Sequence, residues 1–180
     1  GAIIPVRHAI AMGLSCGFAA NAWTMRWAVE LFERFAMMHV SLALLVATLL
    51  FLAQAMPFVI ACGLAAALGR LGLRAWIVLP LAIVVAMSGM PMIFPWRLGT
   101  SQVGWTTFVQ CADLGGPPLL DLLMAFGACA GLEALRRRDR RALGVAAIAI
   151  AFPLAYGAIR LPQVRAMREA APSLRVGLVQ

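Results

Sequence analysis

From position 40 to position 68 the chain runs for 29 residues without a charged side chain. A helix needs about 20 consecutive apolar residues to cross a hydrocarbon core of about 30 Å, and this run exceeds that. As one straight helix it would measure about 43 Å. Its reading is therefore a membrane span that tilts in the bilayer and kinks near Pro57.

Four further runs, at 9–29, 75–93, 117–135 and 142–159, have similar character. A secretory signal would be a single short run at the start. The chain is 63% hydrophobic, well beyond the roughly 45–50% of soluble domains. The expected fold is an all-α polytopic membrane protein with about five transmembrane helices. Pro117 and Pro118 open the fourth span where a missing N–H matters least, and Asp121 follows one turn in. A helix N-terminus favours negative charge, so Asp121 reads as a helix-start residue before it reads as a ligand.

All fifteen basic residues are arginines. Arg7, then Arg70 and Arg74, then Arg136, Arg137, Arg138, Arg140 and Arg141 fall at alternate ends of the spans. Those ends are expected in the cytoplasm by the positive-inside rule, with 30–39, 94–116 and everything after Arg160 outside. The net charge of +8 is thus accounted for by topology and anionic headgroups, and no nucleic-acid partner is expected.

The segment 94–116, "FPWRLGTSQVGWTTFVQCADLGG", is neither uniformly apolar nor a charge cluster. Trp96 and Trp105 both suit an aromatic belt at the headgroup level. Cys16, Cys62 and Cys129 lie inside spans and Cys111 in the outer segment, without the Cys/His spacing of a metal site. No metal and no cofactor is expected. His8 and His39 are isolated at span ends, and Ser88 has no histidine in another span's interior to activate it as a nucleophile. The tail changes character: 163–171 is charged and reads as an outer linker or short interfacial helix, and "RVGLVQ" reads as the start of a β-strand. A lone strand has no partner, so a soluble domain is expected to follow, and the absence of an initiator methionine suggests trimming at the other end.

Several motifs, taken in order, resemble the membrane half of bacterial apolipoprotein N-acyltransferase. They are "WAVELFERF" from Trp27 to Phe35, the long run "LLFLAQAMPFVIACGLAAALGRL", "FPWRLGTSQ", "QCADLGGPPLLDLL", and "YGAIRL" followed by "RVGLVQ". The resemblance implies a transmembrane domain at 1–160, a periplasmic linker at 161–174, and at 175–180 the first strand of a missing α/β nitrilase-like domain. In that family the nitrilase-like domain carries a Glu-Lys-Cys triad. Its cysteine takes an acyl group from phospholipid as a thioester and passes it to the N-terminal amine of a diacylated lipoprotein. None of the triad is in this chain, so the chain alone is expected to be inactive, and Cys111 is not the nucleophile. The implied partners are the phospholipid donor, the lipoprotein acceptor and membrane lipids, and the implied state is a monomer in the bacterial inner membrane with a periplasmic C-terminal end.

The resemblance places Trp96, Pro95 and Gly99 at the mouth of the lipid entrance, with Trp27 and Phe35 as the opposite wall. It also exposes departures. Val84 and Met87 occupy places where a Glu and an Arg are usual, Arg97 intrudes into a loop one residue short, Thr100 replaces a Tyr, and Ala128 stands where Asn is frequent. A divergent paralogue acting as a membrane anchor or lipid-handling protein is the alternative. A small transporter is a third, although Arg26, Asp121 and Glu133 are the only charges in the spans.

Overall fold

The computed structural model describes residues 4–172, and among them there is no strand. The described residues form α1 Val6–Thr24, α2 Trp27–Arg34, α3 Val40–Gly69, α4 Ala75–Gly89, α5 Thr106–Val109, α6 Ala112–Arg137 and α7 Arg140–Ala170, with a 3-10 turn at Leu98–Gln102. Over the described residues the protein is an all-helical membrane protein, as its sequence leads one to expect. Its helices pack in chain order: α1 on α3, α3 on α4, α4 on α6 and α6 on α7.

Helices stand at all five expected places, but three of them, α3, α6 and α7, are by length and composition sufficient to cross a membrane. The expected first span breaks. At Met25 the backbone turns to φ −107°, ψ 19°, and the chain restarts as the separate α2. That short helix buries Ala28 and packs Val29 and Phe32 on Leu50 and Phe51, leaving Glu30 and Arg34 in the open. Its apolar stripe is too narrow to continue a membrane-embedded helix. The third span ends at Gly89, short of the expected Ile93, because Pro91 and Pro95 impose extended backbone on what precedes them. Its 15 residues span about 23 Å as a helix, less than the bilayer core.

Small residues let these backbones approach. Ala9, Gly13, Gly17 and Asn21, each four residues apart, form the buried face of α1. A Cβ on Gly13 would lie 2.5 Å from the Phe58 carbonyl oxygen, and one on Gly17 2.9 Å from the Ala55 Cβ. Such a small-xxx-small stripe substitutes close van der Waals contact for the hydrophobic effect, which supplies nothing between helices in lipid. Ala130, Ala142 and Ala146 do the same between α6 and α7. Pro57, Pro80 and Pro153 are fully buried inside α3, α4 and α7.

Gly116, at φ 67° and ψ −170°, breaks α6 just before Pro117, so the fourth span opens at the prolines as expected. Helix α7 runs through Pro162 to Ala170 and takes in residues 161–170. The strand expected at 175–180 lies outside the described residues. An ion pair of 2.7 Å between Arg74 and Asp139 ties the α3–α4 turn to the α6–α7 turn, which gathers the arginines of both turns at one end of the bundle. The segment joining α4 to α6 stands at the other end.

Candidate functional site

Between Met90 and Trp105 the chain leaves helical structure apart from one 3-10 turn, and its polar backbone must find partners. Three helices provide them. Asn21 in α1, Gln54 in α3 and Asp121 in α6 are the buried polar or charged residues among the described ones, and each reaches the stretch 93–99.

Gln54 takes the first part. Its amide donates to the Phe94 carbonyl at 2.8 Å and accepts from the Ile93 N–H at 3.2 Å. Asn21 takes the second, accepting from the Trp96 indole N–H at 3.2 Å while its own amide donates to the Gly17 carbonyl at 2.7 Å. Asp121 takes the third, accepting from the Gly99 N–H at 2.7 Å and from the Arg97 guanidinium at 3.0 Å. Only glycine fits at 99, since a Cβ there would sit 2.6 Å from the Leu120 Cβ. Asp121, one turn into the helix that opens at Pro117, is therefore also the anchor of the 97–99 turn. A carboxylate with no exposed surface requires charge-assisted donors, and Arg97 and Gly99 are within reach.

Trp96 is wedged into the bundle. Its ring stacks on Phe58 with centroids 6.1 Å apart and meets the cluster of Ala61, Ile83 and Met87. Trp27 meets Phe94 edge to face at 5.5 Å. Pro95 is exposed between these two aromatic contacts, and Gly99 is buried behind them. The structure thus brings Trp27, Pro95, Trp96 and Gly99 to one pinned segment. It leaves Phe35 outside, 82% exposed beyond the end of α2. Trp105, 48% exposed, stacks on Phe108 at a shallow cleft that Ala128 also lines.

The departures acquire places too. Val84 and Met87 belong to the apolar cluster that receives the Trp96 indole. Arg97, the apparent intruder, neutralises Asp121 and also donates to the Ser88 hydroxyl at 3.3 Å. Thr100 closes the turn by donating to the Arg97 carbonyl. Asp113 fastens the far side of the segment to α7, accepting from the Tyr156 hydroxyl and the Arg160 guanidinium, both at 2.7 Å.

Cys111 is buried against Phe108 and Leu120, its thiol donating to the Phe108 carbonyl at 3.3 Å. Burial raises its pKa above the ordinary thiol value, which opposes the thiolate a nucleophile needs. Among the described residues no three His, Cys, Asp or Glu side chains gather closely enough to hold a metal ion. Chemically the site offers aromatic faces and a fixed backbone, which suit binding and positioning rather than bond making. Sequence reading passed over Asn21 and Gln54. The available signal was an amide side chain inside an otherwise apolar helix, which lipid tolerates only with a partner.

No curated protein and no solved structure matches the chain. The family model described as the apolipoprotein N-acyltransferase N-terminal domain matches residues 4–130, from before α1 into α6. That stretch contains Asn21, Gln54 and Asp121 and the whole segment they hold. On this match the chain belongs to the apolipoprotein N-acyltransferase family and carries its N-terminal domain.

Proposed function

We propose that this chain is the membrane part of an enzyme that moves an acyl chain from phospholipid to the N-terminal amine of a diacylated lipoprotein. The chemistry belongs to a nitrilase-like domain beyond α7, on the outer side of the bacterial inner membrane. There a cysteine forms the thioester, a base activates its thiol, and a donor stabilises the oxyanion. The membrane part contributes a wall of fixed shape at the lipid entrance, formed by Trp96, Pro95 and Gly99 with Trp27 beside them. The observation that supports this reading is the attachment of 93–99 to three separate helices through buried polar side chains. Three separate anchors hold the Trp96 ring and the Gly99 backbone in one fixed arrangement, which a positioning wall requires.

Positioning of a reacting group can be worth ~100-fold in rate even for a residue that does no chemistry. In full-length protein reconstituted with phospholipid and diacylated lipopeptide, Trp96→Ala is expected to slow thioester formation by about that factor per folded molecule. Trp105→Ala, at the exposed cleft, is expected to lose activity only as far as it loses folded protein. Equal normalised rates for the two variants would return the segment to the role of a membrane-surface connector.

A further inference from the structure

At the arginine-rich end, away from the pinned segment, α1, α3, α4 and α6 part around a cavity of about 580 Å³. This is within the range of small-molecule sites. Its walls are apolar, with Met12, Cys62, Ala66 and Leu79 among them, and its rim carries Arg74 and Arg137 together with Glu133 and Asp139. One wall residue is unusual. The Trp76 indole N–H is buried and has no hydrogen-bond partner. That nitrogen has no surface open to the cavity, which other atoms of Trp76 line.

The rim arginines are not used up. Arg74 bonds Asp139 at 2.7 Å and Arg137 bonds Glu133 at 3.2 Å, yet each guanidinium has five N–H groups and stays more than half exposed. Arg70, Arg136, Arg138, Arg140 and Arg141 stand in the same two turns, so this end is positive after both carboxylates are counted. A cavity with an apolar floor and a cationic rim is complementary to a molecule with an acidic head and an alkyl tail. Basic pockets between membrane helices hold such headgroups.

We propose that this cavity binds an anionic phospholipid. Its phosphate faces Arg74 and Arg137, and the upper part of one acyl chain lies on Met12, Cys62 and Leu79 beside the Trp76 ring. The site is separate from the segment around Trp96 and does not depend on the acyl-transfer reading.

The test uses full-length protein in phosphatidylcholine nanodiscs doped with phosphatidylglycerol or phosphatidylcholine brominated on the acyl chain, with tryptophan quenching as the readout. The Trp76 share of the emission is the difference between wild type and Trp76→Phe. Half-quenching of that share is expected at a lower fraction of brominated phosphatidylglycerol than of brominated phosphatidylcholine. Arg137→Gln should weaken the preference by about fivefold, the worth of one basic residue beside an anionic lipid. Ala66→Phe, which fills the cavity, should abolish it while circular dichroism stays unchanged. Equal quenching by the two lipids, or a preference that survives Ala66→Phe, would overturn the proposal. So would displacement of the brominated lipid by millimolar inorganic phosphate, the mark of a soluble-anion site.

Discussion

Asp121 and Arg97 form an ion pair in which the carboxylate has no exposed surface and the guanidinium is 22% exposed. Removing one partner of such a pair strands the other, whereas removing both restores an apolar contact. Asp121→Ala is therefore expected to destabilise the protein by about 3 kcal/mol in detergent, read from thermal unfolding. The double variant Arg97→Leu, Asp121→Leu should recover a large part of that loss. Neither half of the pair was legible alone. Asp121 fits a helix start by its distance from Pro117, and Arg97 looks like an insertion by comparison with the family's loop. Only their separation in space, which sequence spacing does not encode, makes each the explanation of the other.

Helix α1 depends on Gly17 because the Ala55 and Phe58 side chains occupy the place of its Cβ. Gly17→Leu should push α1 off α3 at a cost of about 2 kcal/mol, the range for overpacking a tight interface. Loss of disulfide cross-linking between cysteines placed at Ala9 and Ala65 would report the separation. At the α6–α7 turn, Asp139 caps α7. The Arg141 amide donates to it at 2.9 Å and Arg74 lies beside it, and together they hold its carboxyl below the usual range. A carboxyl depressed in the folded state adds stability that is present above its unfolded pKa and lost as pH falls through the lower folded value. Stability of the wild type should therefore decline on the acid side in excess of that of Asp139→Asn, measured as midpoints of thermal unfolding over the acid range. The long runs at 40–68 and 142–159 were readable as helices because no charged side chain interrupts them. The end of the first helix at Thr24 was not, since Trp27 to Phe35 continues the apolar count while turning amphipathic. The early end of α4 is signalled by Pro91 and Pro95, and hydropathy outweighed that signal.

Across the whole molecule, arginine placement predicts that the α6–α7 turn is cytoplasmic and the 94–116 segment external. In a background without the native cysteines, a membrane-impermeant thiol reagent applied to intact cells should label a cysteine at Thr106 and spare one at Arg140. The opposite pattern would invert the bundle and separate the Trp96 segment from the outer surface. The order of the helices was legible from the runs, but the bonds that bind 93–99 to α1, α3 and α6 were not, because they join residues as far apart as Asn21 and Trp96. That distance along the chain has a kinetic side. Segment 93–99 completes its bonds only when all three helices stand in register, so it is expected to order late and to contribute little to the folding transition state. Substitutions that loosen it, Trp96→Phe among them, should leave the folding rate nearly unchanged and shorten the lifetime of the folded protein.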